Sequence, residues 1–339
     1  MLLCSAAPVA GRVLRSLLLA SLLPLAACDN DDDPALPTTP PDQVNFTQTG
    51  LYPEGQQYDS QGSRFLVSSQ TAGRIGQVSD DGTYTPFGDD ASLVSTIGLN
   101  LDAGRDRLLV AVSDPGYNAA RTSAATKGKL AGLAVFTRST GAFGRYVPLS
   151  SLRPAAAGHF ANDVAVDDQG NAYVTDSYAP LIYKVDLQGT ATVFLENAAL
   201  AAPAGTFGLN GIVYHPDGYL LVAKSDEGKV LKVPLSNPAG FSTVALPAGL
   251  SLAGDDGLLL YDKTTLLAAC NAQGRVYRLT SSDGFATISG SSSFSTGAVY
   301  PTTLSRRGSE SYVLYSHLNA LQAMQSPPVS QFSLTRVQF

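Results

Sequence analysis

Four oxygen-bearing side chains stand at the heads of similar hairpins in this sequence of 339 residues: Glu54, Asn162, Asn210 and Asp256. Each precedes an alternating apolar run, as in NDVAVDDQGNAYVTDS, which begins at Asn162. Carboxylate and amide oxygens are hard ligands, and none of the four side chains offers sulfur or imidazole. If the fold brings them together, we expect a Ca²⁺ site. Another divalent cation is the less favoured occupant, and zinc is disfavoured.

A competing interpretation of these residues is local. Asn and Asp at strand heads often satisfy nearby backbone groups in turns, which would explain any one of them. It does not explain Glu54, because glutamate is a poor turn former and yet occupies the same register. Carboxylates gathered without a cation would also repel and shift each other's pKa. We therefore favour the metal interpretation.

The elements that must position these side chains repeat along the chain. Each unit has an alternating run, a tight turn rich in Gly and Asp, a second run, and a third run such as GKVLKV (228–233). The head residue and the apolar residue of the third run occupy positions 54 and 75, 162 and 182, 210 and 230, and 256 and 276. Two weaker units begin at Ile97 and Thr302. Alternation with such turns predicts antiparallel strands, and a fourth, outer strand follows, as in TATVFL (190–195) and FSTVAL (241–246).

Six units of four strands over residues 44–339, about 49 residues each, predict an all-β six-bladed β-propeller. An open sandwich or solenoid is the alternative, but such a solenoid would need shorter repeats and capping units. The chain ends on a third-type strand, FSLTRVQF, so VNFTQ (44–48) is predicted to supply the last outer strand and close the ring. The first strand of each blade lines the channel of a propeller. We therefore expect the hairpin heads to converge at one mouth.

The N-terminal region predicts export and anchoring. Arg12 and Arg15 precede SLLLASLLPLAAC, which is typical of a signal peptide, and its last four residues resemble the lipobox of bacterial lipoproteins. We expect residues 1–27 to be the signal peptide, Cys28 to be acylated, and residues 28–43 to be a disordered acidic and Pro-rich tether. An ordinary cleaved secretory peptide is the alternative. The expected location is the bacterial cell envelope, on its periplasmic or its surface-exposed side, with membrane contact through the lipid alone.

Composition excludes some classes of partner and site. The chain is 44% hydrophobic and carries a net charge of -6 without a basic cluster, so it has no electrostatic footprint for nucleic acid. Cys270 is the one cysteine beyond the lipid site, and its apolar context LLAACNA predicts a buried thiol without a disulfide. We expect a monomer.

The order Glu, a skipped blade, Asn, Asn and Asp, at positions 54, 162, 210 and 256, resembles a known family. It is the family of senescence marker protein, gluconolactonase and luciferin-regenerating enzyme, and more distantly paraoxonase, and the resemblance covers nearly all of residues 44–339. Members are six-bladed propellers that bind a divalent cation in the channel and hydrolyse lactones or related esters. The resemblance implies that Glu54, Asn162 and Asp256 bind the metal directly and that Asn210 supplies the remaining amide.

The resemblance implies a calcium-dependent hydrolase of lactones or esters. The alternative is a non-catalytic propeller that binds a ligand or a protein and holds a structural calcium. Blade two departs from the polar pattern because Ile97 stands at its head. Serine hydrolase, zincin and nucleotide-binding signatures such as G-x-S-x-G, H-E-x-x-H and the P-loop are absent.

The candidate catalytic base is Asp256, followed by His159, which lies three residues before Asn162 and titrates near neutral pH. For His159, as for His317 after the second strand of blade six, a structural role is the alternative.

A long segment in blade two, residues 113–129, is predicted to be a lid or else an insertion without a role. As a lid it would bring Tyr117, Asn118 or Arg121 to a substrate.

The lipobox can be tested directly. We expect Cys28→Ala to abolish membrane association, because it removes the thiol that would be acylated. Fractionation of cells expressing wild type and variant measures this. A folded variant that stays in the membrane fraction would show that the lipobox interpretation is wrong.

Overall fold

Runs of alternating or continuous apolar residues, separated by turns, form 24 strands in the computed structural model, which describes residues 39–339. The predicted signal peptide (1–27), the lipid site Cys28 and the tether up to residue 38 lie outside the described residues. Within residues 39–339, no helix has the length and apolar character needed to cross a membrane.

The strands form six antiparallel sheets of four, arranged as consecutive blades. Blade one contains β2 (Gln56–Asp59), β3 (Arg64–Val67), β4 (Arg74–Val78) and β5 (Tyr84–Asp89). Blade two contains β6 (Ser95–Asp102), β7 (Arg107–Ser113), β8 (Ala131–Thr137) and β9 (Phe143–Pro148). Blade three contains β10 (Ala161–Val166), β11 (Ala172–Asp176), β12 (Leu181–Val185) and β13 (Ala191–Glu196). Blade four contains β14 (Leu209–His215), β15 (Tyr219–Lys224), β16 (Lys229–Pro234) and β17 (Ser242–Thr243). Blade five contains β18 (Asp255–Asp262), β19 (Thr265–Cys270), β20 (Arg275–Thr280) and β21 (Gly290–Ser295). Blade six contains β22 (Pro301–Arg307), β23 (Glu310–Tyr315), β24 (Gln331–Arg336) and β1 (Gln43–Thr47). A short helix, α1 (Leu318–Gln322), and five single 3₁₀ turns complete the described elements.

The sixth blade closes the ring as predicted. Strand β1 pairs antiparallel with β24, from Gln43 opposite Thr335 to Thr47 opposite Gln331, so pairing begins one residue before the predicted start at 44. Phe46 is buried, and its ring centroid lies 5.8 Å from that of Phe332. The six-bladed propeller with four antiparallel strands per blade is thus confirmed.

The core lies between neighbouring blades. The second strands β11, β15 and β19 are buried along their whole length, because each is covered on both faces. One apolar layer joins Leu109 and Leu133 of blade two to Val164 and Val174 of blade three. Cys270 is fully buried as a free thiol, as expected.

The predicted outer strand FSTVAL is mostly not a strand. Only Ser242 and Thr243 pair with β16 as a ladder. After Val244 the chain leaves blade four, and Ala245 forms a parallel bridge with Thr287 of blade five. The backbone N–H of Ala245 donates a hydrogen bond to the carbonyl oxygen of Ala286 at 3.0 Å. Backbone groups that would have extended the outer strand of blade four therefore bond to blade five instead.

Glycine follows the head residue in four blades, at positions 55, 98, 211 and 257, and each of these glycines touches the backbone of the next blade. A Cβ atom built on Gly211 would lie 2.4 Å from the carbonyl oxygen of Asp256, and one on Gly257 would lie 2.4 Å from that of Thr302. Real Cβ atoms do not approach this closely. The first strands therefore meet backbone to backbone around the channel.

We expect Gly257→Ala to destabilise the fold by about 1 to 3 kcal/mol, because overpacking must push two inner strands apart. Gly104→Ala is the matched control: Gly104 has no atom within 4 Å of a built Cβ, and neither glycine has a positive φ. Urea unfolding monitored by circular dichroism measures both variants. Equal free energies of unfolding for the two variants would contradict the close approach of the inner strands at Gly257.

Candidate functional site

Three of the four hairpin heads lie where the inner strands are locally distorted. Asn162, Asn210 and Asp256 are each the second residue of an inner strand, and Glu54 lies two residues before β2. The pairing register with the second strand shifts at these points, between 161 and 164, 209 and 212, and 255 and 257. Such β-bulges re-aim side chains next to a site.

All four heads line one cavity of about 430 Å³ at the channel. Ile97, the head of blade two, lines it as an apolar residue. The structure therefore brings together the four side chains that the sequence register aligned.

Three oxygens in this cavity have no partner. Glu54 Oε2, Asn162 Oδ1 and Asn210 Oδ1 are buried and accept no hydrogen bond from residues 39–339. An unpaired buried acceptor costs roughly 1–3 kcal/mol, so such groups are rare unless something else binds them. Hard oxygens of this kind, on residues that line one cavity, fit a cation such as Ca²⁺.

Hydroxyl groups fix the orientation of the two amides. Asn162 Nδ2 donates to Ser177 Oγ at 2.9 Å, and Asn210 Nδ2 donates to Ser225 Oγ at 3.1 Å. Each serine in turn donates to the next blade, Ser177 to the carbonyl of Leu209 at 2.6 Å and Ser225 to that of Asp255. Because each amide nitrogen is already engaged, it is the amide oxygen that is left without a partner in residues 39–339.

Asp256 is held in a similar way. Asn271 Nδ2 donates to Asp256 Oδ2 at 2.9 Å. Ser177, Ser225 and Asn271 were missed by sequence reasoning, although each follows its head residue by 15 positions. That constant spacing, with a polar residue after each second strand, is the signal that could have found them.

Burial makes the carboxyl groups of this region hard to ionise. It raises the pKa of Glu54 well above its ordinary value, and the nearby Asp256 and Asp163 raise it further. Burial also raises the pKa of Asp256 to about 7, although hydrogen bonds from Asn271 and Asn210 oppose the shift. Asp163, beside Asn162, has its pKa raised to about 7 by burial as well. A bound cation would favour the ionised forms.

His159 has both ring nitrogens engaged and is not among the residues that line the cavity. Nδ1 lies 2.7 Å from Asp176 Oδ2, and Nε2 lies 2.9 Å from the carbonyl oxygen of Arg153. Burial acts to lower the pKa of His159, but the hydrogen bond and charge of Asp176 outweigh it, so the pKa is raised. This placement favours the structural alternative for His159.

His317 also lies outside the cavity lining. It precedes α1 in a left-handed conformation, and burial lowers its pKa.

The segment 113–129 is tied to its surroundings. Asn118 Nδ2 donates to the Val94 carbonyl at 2.6 Å, and Arg121 Nη1 donates to the Gly73 and Leu93 carbonyls at 2.9 and 2.7 Å. Of the three residues singled out in this segment, only Tyr117 lines the cavity. Asn118 and Arg121 anchor the loop that presents it.

Residues 39–339 contain no group of three or more His, Cys, Asp and Glu side chains placed to hold a metal ion. A cation in this cavity would therefore be bound by two carboxylates together with amide oxygens.

Comparisons with known proteins support the fold. No protein-family model and no curated protein matches the sequence. Among solved structures, the major Malassezia sympodialis allergen Mala s 1 superposes with a TM-score of 0.70 at 17% identity, covering 88% of this chain and 96% of the allergen. Regucalcin from Agrobacterium tumefaciens, described as a calcium-binding protein, gives 0.57 at 18% identity over 86% and 92%. A luciferin-regenerating enzyme gives 0.59 at 13% identity over 88% and 97%. At these identities the likeness establishes the propeller fold.

Raised carboxyl pKa values have a testable consequence for stability. Asp163 and Asp256 have pKa values of about 7 in the folded protein and about 4 in the unfolded chain. Their contribution to the stability of the fold is therefore complete below pH 4 and is lost as the pH rises to about 7. In a metal chelator, we expect the free energy of unfolding to fall between pH 5 and pH 8. Asp256→Asn should make that fall shallower, because it removes one of the buried carboxyl groups that titrate in this range. Urea titrations across this range measure it, and a wild-type stability that rises with pH would contradict it.

Proposed function

We propose that this protein is a calcium-dependent hydrolase that acts on a lactone or related ester in the channel cavity. The observation that carries the proposal is the set of three buried, unpartnered oxygens of Glu54, Asn162 and Asn210 beside the carboxylate of Asp256. The fold shared with regucalcin and with luciferin-regenerating enzyme supports a propeller enzyme in general. We place the chain, as a proposal, in the senescence marker protein and gluconolactonase family.

Glu54, Asn162, Asn210 and Asp256 would hold the Ca²⁺ ion. The donor set is oxygen only, and its two carboxylates balance a double positive charge. When bound, Ca²⁺ supplies Lewis acidity toward a substrate carbonyl oxygen.

Asp256 is the candidate base of the reaction. The hydrogen bond from Asn271 fixes one carboxylate oxygen. A bound cation would favour the ionised carboxylate, which is the form that a general base requires. The base accepts a proton as water adds to the carbonyl carbon, and it returns that proton to the ring oxygen as the C–O bond breaks. A lactone and one water thus give one hydroxy acid, and Asp256 ends in its starting state.

A second candidate function is a non-catalytic binding propeller with a structural Ca²⁺. The observation that favours it is that the four candidate ligands come from four different blades, so that an ion would join these blades at the channel. Acylation at Cys28 would place either kind of protein on the bacterial cell envelope.

We expect Asp256→Asn to reduce hydrolysis of lactones and aryl esters by about 10²- to 10⁴-fold, the range typical for loss of a general base. The fold should persist, because Asn can still accept the hydrogen bond from Asn271. Asp262→Asn is the matched control, since it makes the same chemical change at the far end of the same strand. Initial rates with and without chelator, with purified domain, measure the effect.

The outcome separates the two functions. Chelator-sensitive activity that collapses in Asp256→Asn and survives in Asp262→Asn supports the enzyme. A wild-type domain inert toward every lactone and ester but strongly stabilised by Ca²⁺ would favour the binding propeller, because binding to the native state alone raises the melting temperature.

A further inference from the structure

The charged groups of the cavity offer no partner for an anion. Its lining includes the carboxylates of Glu54, Asp226 and Asp256, and none of the described lining residues is Lys, Arg or His. Asp226 is already neutralised, because its two oxygens lie 2.5 and 2.7 Å from Lys224 Nζ. Glu54 and Asp256 would balance a divalent cation. A carboxylate, phosphate or sulfate on the ligand would therefore be buried without a protein counter-charge, which is costly.

One side of the cavity is an aromatic wall formed by Phe160, Tyr178 and Phe207. The three rings contact one another, with centroids 5.3 Å apart for Phe160 and Tyr178, 5.1 Å for Phe160 and Phe207, and 5.4 Å for Tyr178 and Phe207. Tyr178 is 38% exposed, one of few large apolar side chains so exposed in the described chain. Apolar area left open beside a polar cluster is typical of a ligand pocket.

The aromatic wall is held rigidly from behind. Asp176 Oδ1 accepts hydrogen bonds from the backbone N–H groups of Phe160 at 2.8 Å and Tyr178 at 3.1 Å. Its other oxygen binds the His159 ring at 2.7 Å and accepts from the Tyr183 hydroxyl at 2.9 Å. Because these partners fix the backbone under two of the rings, little order is lost when a ligand packs against them.

We propose that the cavity takes an uncharged lactone or ester with an alkyl or aromatic substituent, which packs against the aromatic wall while the carbonyl faces the hairpin heads. This inference rests on the proposed function for the reacting group. It adds that an anionic ring is a poor ligand, because the cavity offers it no counter-charge, and that a ring without an apolar substituent leaves the aromatic wall uncovered. Phe207, Tyr178 and Phe160 are then the residues that determine specificity.

Three lactones with the same six-membered ring test the substituent: δ-valerolactone has none, δ-decalactone has a pentyl chain, and glucono-δ-lactone has hydroxyl groups. Each methylene buried against the aromatic wall strengthens binding up to about fourfold. With several methylenes in contact, kcat/KM for δ-decalactone should exceed that for both others by about tenfold or more. The rate of acid release at constant pH, with wild-type protein and Ca²⁺, gives kcat/KM for each lactone.

A binding experiment separates this inference from the proposed reaction. Cyclohexanone and 2-pentylcyclohexanone cannot be hydrolysed, and calorimetry compares their affinities. We expect the pentyl compound to bind about tenfold or more tightly and to lose that advantage in Phe207→Ala. Phe143→Ala is the matched control, because Phe143 also makes one edge-to-face aromatic contact but lies on the outer strand β9, away from the cavity.

Each result decides something. A pentyl preference in binding without hydrolysis of any lactone would keep the aromatic wall as a ligand site and overturn the proposed reaction. Hydrolysis of all three lactones at similar kcat/KM, or equal binding of the two ketones, would overturn the inference and leave the reaction standing. A pentyl preference that persists in Phe207→Ala would also overturn the role assigned to the wall.

Discussion

The site depends on how closely neighbouring inner strands approach around the channel. Where a glycine follows the head residue, as at Gly211 and Gly257, the backbones touch with no space for a Cβ atom. Where another residue stands there, its side chain bonds to the neighbouring blade instead: Asp163 accepts from the Ile212 N–H at 3.3 Å, and Thr303 donates to the Glu54 carbonyl at 2.8 Å. Backbone contact and polar bridges together bring the hairpin heads close enough to share one cavity.

A consequence is that no blade builds its part of the site alone. Ser177 belongs to blade three, where it orients Asn162, but its hydroxyl group donates a hydrogen bond to the Leu209 carbonyl of blade four. Ser225 links blades four and five in the same way. The direction of each amide oxygen therefore depends on the fit between blades as well as on the residue itself. Such support from neighbouring groups is what gives a binding site its precision.

The fold and the head residues could be predicted because both follow from periodicity. Alternation with a period of two gives strands, and the constant distance from head to third run aligns Asn162, Asn210 and Asp256. What periodicity does not carry is a side-chain contact that does not recur from blade to blade. Asp176 occupies both of its oxygens with groups including the His159 ring, and this depends on rotamers across a hairpin. The aromatic wall comes from three separate connections, so no sequence period marks it.

The pairing of β1 with β24 sets the order in which the domain is completed. Asn45 and Ser333, which are hydrogen-bonded across this pair, stand 288 residues apart. During synthesis, β1 emerges long before its partner exists, so the buried faces of Val44 and Phe46 stay uncovered while the intervening blades are made. A ribosome-bound chain in which five blades have formed thus carries the unpaired strand β1 and an open sheet edge. The interval before ring closure is therefore the stage at which this apolar surface and this edge are open to association with other chains.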